Sequence, residues 1–146
     1  TLLEAAMNFE NSKMYPGLPE YFDNEGRGLY AYLTGAASWY MLTMITEVFG
    51  VKGDLGDLVI APSLLPEQFD EKGSAGLKLE FARKKFEIIM HNPEKKDLRI
   101  EQIRRAVCDE KVVLEPEPEY GVRLRKSVIE TLDQKKCHRI DVFFQE

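Results

Sequence analysis

Few residues in this chain have the type and spacing to do chemistry. Thr34 and Gly35 stand directly before its most apolar segment, Ala36–Phe49. A hydroxyl and a glycine at a helix start gather free backbone N–H groups and the positive end of the helix dipole at one point. Such a point binds an anion, phosphate above all. Glycine lets a phosphate oxygen approach the main chain, and the threonine hydroxyl donates one more hydrogen bond. On spacing alone the same step is an ordinary N-cap, and the two readings are compatible. Arg27 is the only basic side chain nearby.

The other reactive side chains point to no catalytic group and no metal. His91 precedes Asn92-Pro93 at a strand end and His138 precedes the last strand; with no serine or cysteine arrangement beside them, both read as structural or surface residues. Asp54 and Asp57 flank Leu55-Gly56, where aspartates beside glycines shape turns. There is no His-x₃-His or Cys-x₂-Cys pattern. Cys108 and Cys137 give no framework and read as two free thiols in a reducing, cytoplasmic setting. The acidic run Glu115–Glu119, broken by two prolines, reads as a solvated loop. Lys95-Lys96 and Arg104-Arg105 read as exposed positions that make no site.

The elements that would hold these residues fall into two parts. The chain has 146 residues and a net charge of −5, which argues against a nucleic-acid partner. The acidic excess lies wholly in residues 1–65, with eight acidic and three basic side chains. No apolar stretch is long enough to span a bilayer. Up to about Gly50 the pattern is helical: a short helix with Leu2, Leu3, Ala5, Ala6 and Phe9 on its apolar side, a proline- and glycine-broken loop over Asn11–Pro19, then Ala36–Phe49 with Gly50 just past its end. A helix apolar all round requires burial on most faces, by more partners than this segment supplies. Beyond Gly56 the period becomes two, at Leu58 and Ile60; Leu77, Leu79 and Phe81; Phe86, Ile88 and Met90; Leu98 and Ile100; Val112 and Leu114; and Ile140, Val142 and Phe144. Ser127–Leu132 reads as a short helix. Strands with turns between them predict a β-sandwich. The chain starts at Thr1 rather than Met, so a processed product or a piece of something longer is expected.

Three runs carry a resemblance: Met14-Tyr15-Pro16-Gly17-Leu18-Pro19-Glu20-Tyr21-Phe22; Gly26-Arg27-Gly28; and Tyr32-Leu33-Thr34-Gly35-Ala36-Ala37-Ser38-Trp39. With Glu47–Val51, Gly56-Asp57-Leu58 and His91-Asn92-Pro93, they resemble the end of the catalytic domain of glycoside hydrolase family 94, the inverting β-glycoside phosphorylases such as cellobiose phosphorylase. The resemblance covers most of residues 8–93. It implies an α+β arrangement: the terminal helices of an (α/α)₆ barrel in residues 1–52, then a C-terminal antiparallel β-sandwich in 53–146. It also implies phosphorolysis of β-linked glucosides or oligoglucans by inorganic phosphate as co-substrate, without a metal or organic cofactor. Thr34 and Gly35 inherit a phosphate contact, and Glu20 and Tyr21 fall where sugar-facing residues precede it. Trp39 is expected inside the barrel. The catalytic aspartate belongs to an upstream catalytic domain, so none of these residues is catalytic and the chain alone is expected to be inactive. Two rival readings are a stand-alone carbohydrate-binding sandwich, displaying Phe81, Phe86, Phe143 and Phe144, and a structural module whose β domain forms a homodimer.

Overall fold

A computed structural model describes Glu4, Met7 and residues 8–13, 18–30, 35–98, 103–117 and 121–144. The chain divides into two compact units, Thr1–Met44 and Ile45–Glu146.

The first unit is sparse. A single helical turn, α1 (Phe9–Ser12), is capped by the Asn8 side chain on the Asn11 amide and ends at Lys13, which takes the left-handed conformation. Two short strands, β1 (Tyr21–Phe22) and β2 (Gly28–Leu29), pair antiparallel, with Tyr21 opposite Leu29. Gly28 is required there: a Cβ would lie 1.8 Å from the Ser12 carbonyl oxygen. Helix α2 (Gly35–Thr43) then leads into a wider π-helical turn over Met44–Val48. The apolar segment thus forms a helix, as its pattern predicts, but the α-helical part stops at Thr43.

The described residues leave that helix uncovered. No residue of α2 is buried, and Trp39 is 68% exposed, with Tyr40, Met41 and Leu42 also exposed. Trp39 is therefore not an interior residue of this chain. The segment is apolar all round, and the described residues do not cover it.

The second unit holds the core. Strands β3 (Val51–Asp54) and β4 (Asp57–Ile60) form a hairpin through Leu55 and Gly56, both at positive φ, the geometry of a two-residue type I′ turn. After a 3₁₀ turn at Pro66–Gln68 come β5 (Ser74–Phe81) and β6 (Lys84–His91), then β7 (Arg105–Cys108), β8 (Val112–Leu114), β9 (Pro116–Glu117) and β10 (Gly121–Leu124). A short helix, α3 (Lys126–Thr131), precedes the last strand, β11 (Cys137–Phe143). One sheet runs β3-β4-β10-β9 and the other β5-β6-β11-β7-β8.

The two sheets share one core. Leu58, Ile60, Val122 and Leu124 of the smaller sheet join Phe86, Ile88, Met90, Ala106, Cys108, Ile140 and Val142 of the larger one. Alternation assigns the faces: along β6 residues 84, 86, 88 and 90 are buried, and along β11 residues 138, 140 and 142. The unit is sheet-rich and sandwich-like, within a chain of mixed α+β structure.

Several sequence expectations need correction. The sandwich is not purely antiparallel, because β11 pairs with β6 in parallel, Phe143 opposite His91. The connection from β6 to β11 covers residues 92–136, β7 to β10 and α3 included, well beyond the dozen or so residues that parallel pairing needs. Leu98 is buried in a turn rather than a strand, and Ile100, like Leu2, Leu3, Ala5 and Ala6, lies outside the described residues. The acidic run is not wholly loop: Pro116–Glu117 pairs with β10, and Glu117 engages Arg123 and Arg125. Of the four phenylalanines that a carbohydrate platform would display, Phe86 and Phe144 lie in the core.

Candidate functional site

The start of α2 brings two of the expected site residues together. The Glu20 amide bonds the carbonyls of Leu29 and Tyr30, which places its side chain at the base of the β1–β2 pair. From there the Glu20 Oε1 accepts a 3.1 Å hydrogen bond from the Ala36 amide, and a Cβ on Gly35 would meet that oxygen and the Trp39 ring at 3.8 Å. A carboxylate on the first turn of a helix is favourable, because it satisfies an orphan donor at the positive dipole end. Glu20 therefore already holds an N–H beside those that the resemblance gives to phosphate, so an incoming anion at this point has to displace it.

The rest of the expected site is arranged differently. Thr34 lies outside the described residues. Tyr21 is 61% exposed and meets Tyr30 edge to face, ring centroids 5.9 Å apart. Arg27 does not stand free as a counter-charge: its Nε is 2.6 Å from the Asp23 Oδ2, while the Asp23 Oδ1 accepts from the amides of Glu25 and Arg27. The Arg27 amide and guanidinium hold the Asp23 carboxyl below its ordinary value.

In the second unit both histidines meet carboxylates, which their neighbours in sequence do not reveal. His138 Nδ1 lies 2.6 Å from Asp109 Oδ2, and Nε2 lies 2.9 Å from the Asp133 carbonyl oxygen. A carbonyl oxygen and an ionised carboxylate only accept, so both contacts are satisfied at once only when the ring carries a proton on each nitrogen. Burial works against that charge, but the bonds to Asp109 and Asp133 outweigh it and raise the His138 pKa above 6.5. Burial likewise pushes Asp109 up, and the bonds from His138 and the Arg139 amide overcome it, leaving the carboxyl below its ordinary value. Lys84 bonds the Leu132 carbonyl alongside, so two buried cations tie down the loop after α3. This arrangement is structural.

His91 is placed otherwise, on the outer face of the larger sheet. Its Nε2 is 2.6 Å from Asp141 Oδ1, and its ring stacks on Phe143 at 4.7 Å. Burial pushes Asp141 up, but Arg139 and His91 outweigh it and lower the carboxyl. Ser74 is the cross-strand partner of His91, yet no hydrogen bond joins the two, so no serine–histidine–aspartate triad exists here.

The two aspartates of the β3–β4 turn have protein partners. Asp54 and Asp57 both pair with Arg123, and Asp57 Oδ1 accepts from the Lys126 amide at the start of α3. Among the described residues no group of three histidine, cysteine or carboxylate side chains is arranged to hold a metal ion. No described helix is long and apolar enough to cross a membrane. Compared with known proteins, the chain matches no family model and no curated protein sequence.

Proposed function

We propose that this chain is the C-terminal part of an inverting glycoside phosphorylase of the family 94 type. In that reading Thr34 and Gly35 form one edge of the phosphate site, and a catalytic domain upstream supplies the acid. The acid protonates the glycosidic oxygen of a β-linked glucoside or oligoglucan while phosphate attacks the anomeric carbon from the opposite face. The C–O bond to the leaving sugar breaks as the new bond to phosphate forms, giving α-glucose 1-phosphate. Glu20 gives up the Ala36 amide as phosphate arrives, which keeps the donor occupied until then. The reading places the enzyme in the cytoplasm.

The observation that carries it is the Leu33-Thr34-Gly35 step at the head of an apolar helix whose large side chains, Trp39 to Leu42, lie exposed ahead of a sheet domain. A barrel of further helices is the partner that such a surface fits. The test is an assay of the full-length protein on β-linked glucose disaccharides with phosphate. Release of glucose 1-phosphate, with a raised KM for phosphate in Thr34→Ala, is the expected result. An unchanged KM and turnover in that variant remove the phosphate assignment, and no product from any β-glucoside removes the function.

A further inference from the structure

Parallel pairing of β6 and β11 builds a row of side chains across the outer face of the larger sheet. Ser74, His91, Phe143 and Arg105 are successive cross-strand partners on β5, β6, β11 and β7. The end of that row opens into a cavity of about 880 Å³ lined by Lys72, Gly73, His91, Pro93, Arg104, Arg105 and Phe143. Among the described residues no carboxylate lines it, in a chain whose net charge is −5.

Most of the other arginines among the described residues are held by carboxylates of this chain: Arg27, Arg123, Arg125 and Arg139 all sit in ion pairs. Among the described residues Lys72, Arg104 and Arg105 have no such partner, and all three open on one cavity. His91 turns its Nε2 to Asp141, while its Nδ1 makes no hydrogen bond within the described residues.

The walls are pre-set. Asp70 accepts from the amides of Lys72 and Ser74 at 2.9 and 2.8 Å, which fixes the loop carrying Lys72. Gly73 has φ +72, and a Cβ there would lie 2.5 Å from the Asn92 carbonyl oxygen. The buried Asn92 side chain bonds both the amide and the carbonyl of Lys96, which holds the opposite rim. On the third side the Arg104 amide donates to the Phe143 carbonyl at 2.8 Å.

We propose that this cavity binds a small organic phosphate ester, its phosphate held by Arg104, Arg105 and Lys72, with the His91 and Phe143 rings as one wall. Two guanidinium forks suit the oxygens of a phosphate dianion, and lysine adds a point charge. The volume far exceeds that of a bare anion and falls in the range of small-molecule sites, so room remains for the esterified group. The inference is independent of the phosphorylase reading, because no residue of the α2 start takes part.

The test is isothermal titration of the full chain with glucose 6-phosphate, inorganic phosphate and glucose. Glucose 6-phosphate is expected to bind more tightly than inorganic phosphate and with an affinity that falls as salt rises; glucose is expected not to bind. Arg104→Ala and Arg105→Ala should each weaken the ester by about tenfold or more, the worth of a charge-assisted hydrogen bond. Lys72→Glu, on an exposed loop side chain, tests the same point without touching a strand. Lys136→Ala, at an exposed lysine outside the cavity, should leave the affinity unchanged. No heat with glucose 6-phosphate overturns the proposal. So does binding that survives the three cavity variants, binding lost in Lys136→Ala, or inorganic phosphate that binds as tightly as the ester and is lost in the same cavity variants.

Discussion

Replacing Asp109 by alanine should destabilise the second unit in a way that depends on pH. The change removes the acceptor 2.6 Å from His138 Nδ1 and leaves that buried nitrogen facing no protein oxygen. A hydrogen bond to a charged group contributes about 1.5–3 kcal/mol. The Asp109 side chain is 37% exposed, so water replaces part of the loss and the lower end applies, about 1.5–2 kcal/mol near pH 6. Because the folded-state pKa of His138 is raised, its contribution is complete below about pH 6.5 and is lost as pH rises through the folded value. Once the ring is neutral, above its folded-state pKa, only a single N–H bond to the carboxylate is at stake, and the difference should shrink to about 1 kcal/mol. Urea unfolding followed by far-ultraviolet circular dichroism, on parent and Asp109→Ala across that range, measures both numbers. A destabilisation equal at the two ends, or a His138 that titrates at or below 6.5 by NMR, would refute the doubly donating imidazolium.

Two further outcomes follow from the same core. Gly50→Ala combines a positive φ of 66° with a Cβ only 1.9 Å from the Ala61 carbonyl oxygen, and should cost about 2–4 kcal/mol by denaturant unfolding. Burial pushes the buried Cys108 thiol up to about 12, whereas Cys137 is exposed. A thiol reagent at neutral pH should therefore modify Cys137 alone in the native chain and both cysteines after unfolding, which mass spectrometry reads directly.

Much of the sheet unit was legible because a strand advertises its faces with a period of two. Phe86, Ile88 and Met90, and Ile140 and Val142, are fully buried as their alternation predicts. The strands that escaped notice are short or sit in mixed surroundings: β3 contains Lys52 and Gly53, β7 is only Arg105–Cys108, and β10 carries Arg123. In those segments ion pairs and neighbouring strands decide the conformation. Arg123, for example, is only 13% exposed because Asp54, Asp57 and Glu117 surround its guanidinium. The α2 segment differs: its apolar character calls for more partners than the described residues supply.

By itself the sequence determined where the chain turns and which side chains face inward. Glycines, prolines and hydrophobic period act over a few residues, and Gly50, Gly56 and α3 fall where those local rules put them. It determined neither pairing order nor electrostatic partners. His91 and Asp141 are 50 residues apart, His138 and Asp109 are 29 apart, and the cavity draws on four separate stretches of chain. Only the parallel placement of β11 beside β6, and of β7 on its far side, sets these groups within ångströms of one another. A charge at such a site takes its pKa and its freedom to bind from neighbours in space, and local sequence carries no record of them.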